Sequence, residues 1–169
     1  VVRSLRADFA PEIWAGLGLG QQPAIFTYSE MWVALGVVAA NGLLFLVRDN
    51  RNAFLLALSL STAALGLTTG ALALQSAGKL SPFTFMVLLG LGMYVPYVAI
   101  HTTVFERLVA MTRERGNIGF LMYLADAAGY LGYVAVMLGR GALPQREDFL
   151  GLFLDVTQWL LVAAFAAML

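Results

Sequence analysis

Five apolar stretches, separated by short polar segments, dominate the chain. Each is long enough to cross about 30 Å of hydrocarbon as an α-helix. The short connections predict that neighbouring helices are antiparallel. We therefore expect an all-α membrane protein in which a partial helix and loop over 1–28 precede a five-helix transmembrane bundle over 29–169. The predicted spans are approximately residues 29–47, 53–74, 83–105, 118–139 and 149–169.

Capping signals mark the starts of three predicted spans. Thr27 followed by Glu30 predicts a capping box before the first span. Ser81 with Pro82 is typical of the start of the third span, and Asn117 can cap the fourth. Helix contacts in lipid favour small residues, because these let two backbones approach closely. Two small-residue stripes therefore predict contact faces: Thr62, Gly66 and Gly70 in the second span, and Ala125, Gly129 and Gly132 in the fourth.

Composition agrees with a lipid environment. Hydrophobic residues make up 60% of the chain and charged residues only 12%, about half the share in soluble domains, and the mean hydropathy is +0.81. The formal net charge of zero argues against a nucleic-acid partner. With no cysteine and one histidine, the chain lacks the usual ligands of a metal centre, so we expect no metal and no cofactor. The expected partners are the lipid bilayer and a small solute.

The basic residues predict an orientation. One side of the predicted bundle carries Arg48, Arg51, Arg107, Arg113 and Arg115. The other carries Lys79, Arg140 and Arg146, together with Arg3 and Arg6 if these two lie in a surface loop. If they instead belong to an incomplete helix, the excess puts loops 48–52 and 106–117 and the C-terminus in the cytoplasm. The absence of an initial methionine leads us to expect a piece of a longer protein.

Asp126 is the most informative polar residue, because it lies near the middle of the fourth span. An aspartate at the centre of a spanning helix costs about 2.5–3.5 kcal/mol, so such groups usually face a protein interior or a watery cavity. Asp126 is therefore a candidate for a proton or solute pathway. The alternative is a structural hydrogen bond between helices.

Polar stripes on two spans extend this candidate site. In the third span Tyr94, Tyr97 and His101 share one face, and Pro96 between the tyrosines predicts a kink. His101 is either a proton relay or a buried neutral imidazole, and one hydroxyl or water could bridge it to Asp126. The tyrosines either line a cavity or form an aromatic belt at the membrane surface. The stripe on the fourth span consists of Tyr123, Asp126, Tyr130 and Tyr133.

A mixed charge cluster follows the third span. It is either a solvated loop or a cytoplasmic gate, and the gate candidates are Glu106, Arg107, Arg113 and Arg115. No activated nucleophile is recognisable, so we do not expect an enzyme. An intramembrane enzyme that uses His101 with Glu106 or Asp126 stays a distant alternative.

Two stretches, Arg6-Ala-Asp-Phe-Ala-Pro-Glu-Ile-Trp14 and Asn117-Ile-Gly-Phe-Leu-Met-Tyr-Leu-Ala-Asp-Ala-Ala-Gly-Tyr-Leu-Gly132, resemble segments of an uncharacterised bacterial family related to the major facilitator superfamily. The resemblance implies that nearly the whole chain is the carboxy-terminal half of a transporter in the bacterial inner membrane. Its opening residues would belong to the seventh helix and its five spans would be helices eight to twelve. A missing amino-terminal six-helix half, or another membrane subunit, would be its partner. Ala7 departs from the family, since an acidic residue is expected there.

Together these observations predict half of a secondary-active, proton-coupled transporter for a small polar or anionic solute. Asp126 would accept the proton or bind the solute, with His101 as relay. The other candidate pathway residues are Tyr94, Tyr97 and Tyr130 as a hydrogen-bonding wall and Arg3 and Arg6 as anion contacts. The alternative is a membrane scaffold or assembly subunit without transport activity, in which the polar stripe only holds helices together.

Overall fold

The computed structural model describes residues 2–20, 23–112, 116–142 and 149–168, and these residues are almost entirely helical. Two short helices come first. Five long apolar helices follow, the third of which contains a π-helical turn. In chain order the elements are α1 (Val2–Asp8), α2 (Ala10–Gly16), α3 (Pro23–Leu44), α4 (Asn50–Ser76), α5 (Pro82–Ala99), the π-turn (Ile100–Val104), α6 (Phe105–Thr112), α7 (Ile118–Ala142) and α8 (Phe149–Met168).

Five helices are long and apolar enough to cross a bilayer, as the sequence predicted. Length and composition thus support a multi-pass membrane protein. The candidate spans are Ala24–Leu44, Asn50–Ser76, Pro82–Thr112, Ile118–Gly139 and Phe149–Ala166.

The helix starts confirm two of the three predicted caps. The Ser81 side chain accepts a hydrogen bond from the Thr84 amide, and Asn117 accepts one from the Phe120 amide. The predicted capping box at Thr27 is wrong, because α3 already begins at Pro23 and Thr27 lies inside it. A proline suits that first helical position, since it has no amide hydrogen to leave unpaired.

The third span is longer than predicted. Helix continues through the π-turn and α6 to Thr112, so residues 106–112 are not the loop that the charge cluster suggested. No glycine or proline occurs between Pro96 and Gly116, and charged side chains are compatible with helix wherever they can reach water. The span therefore extends beyond its apolar part.

Packing of α4 against α5 uses a small-residue face, but not the predicted one. The buried positions of α4 recur every three or four residues. The predicted stripe lies on the exposed side instead, and a side chain added at Gly66 or Gly70 would meet no atom within 4 Å. Gly129 of α7 makes no close approach either. The buried face of α4 consists of Ala53, Ala57, Ser61, Ala64, Thr68 and Ala71.

The N-terminal helices α1 and α2 pack into the bundle. Leu5, Ile13 and Trp14 are fully buried against residues of α5 and α8, which include Phe85 and Phe153. The predicted partial helix and loop is therefore two short helices joined to the core, and α1 brings its polar residues among the long helices.

Candidate functional site

A cavity of about 340 Å³ lies between α1, α4, α5, α7 and α8. Its size is at the lower end of the roughly 300–1,000 Å³ of small-molecule pockets. One part of its wall is polar and the rest is mainly apolar. The polar part includes Ser4 and five of the predicted pathway residues, which are Arg3, Tyr97, His101, Asp126 and Tyr130.

His101 and Asp126 contact each other directly inside this cavity. Nε2 of His101 lies 3.2 Å from Oδ1 of Asp126, so the predicted bridging hydroxyl or water is not needed. Nδ1 of the same ring lies 2.8 Å from the backbone carbonyl oxygen of Tyr97. The His101 side chain is 16% exposed and that of Asp126 is 40% exposed. The carboxylate therefore faces the cavity rather than being sealed in the protein.

These two contacts determine where the protons are. A carbonyl oxygen can only accept a hydrogen bond, so Nδ1 of His101 must carry a hydrogen and donate it to Tyr97. Nε2 and Oδ1 can then form a hydrogen bond only if one further proton lies between them. That proton is held either by an imidazolium that donates to a carboxylate, or by a carboxylic acid that donates to a neutral imidazole. Both contacts can therefore be hydrogen bonds at the same time only when the pair holds one shared proton.

The backbone around His101 explains this direct contact. Pro96 has no amide hydrogen and so removes one hydrogen bond from α5. Helix continues through Pro96, and the π-turn follows it, with the Phe105 amide donating to the carbonyl of Ile100. A π-turn changes the rotational register of the residues within and after it, and such turns are frequent at functional sites. Helix α5 therefore continues through Pro96 to Ala99, and the π-turn that follows contains His101.

Arg3 and Arg6, both predicted as anion contacts, have different environments. The Arg3 guanidinium lies 4.2 Å from the centre of the Tyr97 ring and 5.8 Å from that of Tyr94. It lines the cavity and forms no ion pair among the described residues. A cation stacked on one aromatic face keeps its donors available at the edge of its plane.

Arg6 is buried, with 1% of its surface exposed, and lines neither this cavity nor the smaller one beside it. It forms an ion pair with Glu30 at 2.7 Å and donates to the Met86 carbonyl at 3.3 Å. Its charge is therefore neutralised within the protein, where it joins α1 to α3 and α5. The predicted role of Arg6 as a solute contact is not supported by this position.

A second cavity of about 230 Å³ lies beside the first and shares Arg3, Ser4 and Tyr130 with it. Tyr94 lines this cavity and not the first. Asp8, which the sequence did not single out as a site residue, also lines it, and its carboxylate interacts with the Tyr133 hydroxyl. The spacing of Ser4 and Asp8 on one face of a short helix was the available signal.

The predicted gate residues are only partly described. Arg107 donates to the side-chain oxygen of Asn50 at 2.6 Å, which joins α6 to the first turn of α4. Glu106 is exposed on α6. Arg113 and Arg115 lie outside the described residues. Within the described part of the chain, no group of three or more His, Cys, Asp or Glu residues is placed to hold a metal ion.

Comparison with curated proteins and with solved structures finds no match. Among protein families, one model matches residues 1–169, which is the whole chain, and its description is "Family of unknown function (DUF5690)". That description names no activity. The extent of the match assigns the chain itself: it belongs to this family of unknown function, DUF5690.

Proposed function

We propose that this chain forms one half of a secondary-active, proton-coupled transporter for a small polar or anionic solute, and that its cavity is one wall of the solute site. The observation that carries the proposal is the His101–Asp126 pair in the wall of a cavity, because both contacts of the His101 ring are hydrogen bonds when the pair holds one shared proton. Ionisable groups within membrane helices commonly mark proton or solute pathways.

Loss of the shared proton would change the pair itself. With Nδ1 still donating to Tyr97, Nε2 and Oδ1 would both be acceptors, and two acceptors at 3.2 Å repel each other. The deprotonated pair would therefore separate, and α7 would lose its contact with the π-turn. Proton binding and helix position are coupled in this way, which is what a proton-driven carrier requires.

The surroundings of the cavity support a partner on one side. The apolar window of α7 has none of its residues buried within this chain, and Tyr130, which lines both cavities, is 67% exposed. An amino-terminal six-helix half or another membrane subunit would close this side, in line with the resemblance to the major facilitator superfamily. The contact between Arg107 and Asn50 joins the two basic segments at one end of the bundle. We propose that this end is cytoplasmic in a bacterial inner membrane.

The test is proton-coupled uptake by the full-length protein in liposomes that carry an internal pH dye. Asp126→Asn should abolish uptake driven by a proton gradient, because the amide cannot take up and release the proton. The matched control is Asp155→Asn, which changes a carboxylate of another span that lines neither cavity. Wild-type rate and pH dependence in Asp126→Asn would remove the assignment.

A scaffold or assembly subunit is the second candidate, because the same hydrogen bond also joins α7 to the π-turn. In a scaffold, Asp126→Asn would lower the free energy of unfolding in detergent by up to the value of one charge-assisted hydrogen bond, about 1.5–3 kcal/mol, with the partial exposure of Asp126 favouring the lower value. A transport carboxylate should be replaceable with little loss of folding. Unfolding and uptake measured on the same variant therefore separate the two functions.

A further inference from the structure

Arg3 is the feature of the cavity that the His101–Asp126 pair does not explain. Of the two arginines on α1, Arg6 has its counter-charge in Glu30, whereas Arg3 has no ion pair among the described residues. The Arg3 guanidinium is held over the Tyr97 ring. Such a fixed, planar donor suits a carboxylate, which can accept two parallel hydrogen bonds from it.

The cavity wall opposite its polar part is poorly equipped for a solute with polar groups on all sides. Thr68 and Thr157 both line it, but their hydroxyls donate to the carbonyls of Ala64 and Phe153 in their own helices. A sugar-like solute would leave hydroxyl groups unpaired against this surface, which is costly. A solute with an apolar body has no such groups to leave unpaired against this surface. The apolar part of the wall includes Leu65, Met93, Leu160, Leu161 and Ala164.

The net charge of the cavity depends on whether the His101–Asp126 pair holds its shared proton. The charged and titratable groups that line the cavity are Arg3 from α1, Tyr97 from α5, His101 from the π-turn, and Asp126 and Tyr130 from α7; α4 and α8 contribute none among the described residues. With the shared proton present, the pair is neutral and Arg3 gives the cavity one positive charge. Without it, Asp126 cancels Arg3. One monoanion therefore fits the proton-loaded cavity.

Asp8 is the remaining charge near Arg3, and it belongs to the second cavity. Its carboxylate interacts with Tyr133, and it forms no ion pair with Arg3 in the part of the chain that the structure describes. Asp8 therefore does not occupy the donors that Arg3 offers to the larger cavity.

We infer that the solute is a small monocarboxylate with a short hydrocarbon body, whose carboxylate binds Arg3 and whose body lies against the apolar wall. This inference rests on the proposed transport function and deepens it by naming the solute class. It also assigns the coupling: the anion binds when the His101–Asp126 pair holds its proton, and one proton accompanies one anion.

Binding to the purified full-length protein tests the solute class separately from transport. The probes are radiolabelled benzoate, benzamide and benzylamine, which have similar size and carry a negative, zero and positive charge. Benzoate should bind at least about tenfold more tightly than the other two, and more tightly at low pH than at high pH, because the shared proton leaves the cavity with one net positive charge. Asp126→Asn should bind benzoate tightly at both pH values, because the amide imitates the protonated acid.

Substitution of Arg3 gives the sharper result. Arg3→Gln should lower benzoate affinity at least about tenfold. Arg3→Lys should lower it less, because lysine keeps the positive charge but lacks the two parallel N–H donors of the guanidinium. Arg51→Gln, which changes an exposed arginine at the start of α4, should have no effect. If thermal unfolding shows that Arg3→Gln does not fold, the solute class is still tested by the Arg3→Lys variant and by the binding of the three probes to the wild-type protein.

The outcomes distinguish the two proposals. Preference for benzamide or benzylamine, no benzoate binding, or unchanged benzoate affinity in Arg3→Gln would each overturn the solute class, while proton-coupled uptake of another solute would leave the transport function standing. Benzoate binding with the expected Arg3 and pH dependence, but no uptake into liposomes in excess of protein-free liposomes, would support the binding site and overturn the transport function.

Discussion

Gly92 allows α5 to approach α4 closely, and replacing it by alanine should force the two helices apart. A Cβ atom at this position would collide with Oγ1 of Thr68 and would lie 2.8 Å from the carbonyl oxygen of Ala64. Thr68 could rotate only by giving up its hydrogen bond to Ala64. The Ala64 carbonyl is backbone and moves only with its helix. Overpacking of this kind costs about 1–3 kcal/mol.

The matched control is Gly66→Ala on α4, where an added Cβ meets no atom within 4 Å. Both variants gain the helix propensity of alanine over glycine, about 0.5–1 kcal/mol, so their difference isolates the steric cost. At about 2–4 °C per kcal/mol, Gly92→Ala should unfold roughly 2–12 °C below Gly66→Ala. Thermal unfolding in detergent, followed by circular dichroism, measures this gap. Equal midpoints, or a lower midpoint for Gly66→Ala, would refute the packing described here.

Three further changes test the contacts around the site, each by thermal unfolding. Glu30→Gln removes the counter-charge of the buried Arg6 and should destabilise by about 1–3 kcal/mol, with half-exposure of Glu30 favouring the lower value; an unchanged midpoint would contradict the ion pair. Asn50→Ala removes the acceptor of Arg107 and should lower the free energy of unfolding by about 0.5–1.5 kcal/mol, with faster hydrogen exchange in α6. Unchanged exchange would contradict a stabilising role for the Arg107–Asn50 hydrogen bond. Asn117→Ala removes the cap of α7 and should cost about 1 kcal/mol, whereas a neutral effect would mean that the cap is not used.

The number and approximate positions of the spans could be predicted from the sequence, because apolar length is set by bilayer thickness. The choice of packing face could not. Helix α4 has two small-residue faces, and the face that is buried is the one with Ala64 and Thr68, which lies against Gly92 of α5. The full length of the third span could not be predicted either, because charged residues are compatible both with a loop and with a helix end that reaches water.

The candidate site could also be predicted only in part. The positions of His101 and Asp126 on neighbouring spans could be recognised from their polar stripes. Their direct contact depends on the π-turn, which has no sequence signature beyond the preceding Pro96. Arg3 and Arg6 are equivalent in the sequence. They differ in the structure because α1 turns Arg6 toward Glu30 on α3, a neighbour that only the tertiary arrangement supplies.

The shared proton of His101 and Asp126 is the central claim, and nitrogen NMR of the full-length protein in lipid bilayers measures it most directly. Labelled histidine, with His101 assigned by its loss in His101→Gln, reports the protonation of each ring nitrogen. Nδ1 should keep its hydrogen at every pH measured, while the pH dependence of the Nε2 signal in wild type should differ from that in Asp126→Asn. A ring that carries its hydrogen on Nε2 alone, or a titration that Asp126→Asn leaves unaltered, would contradict the claim.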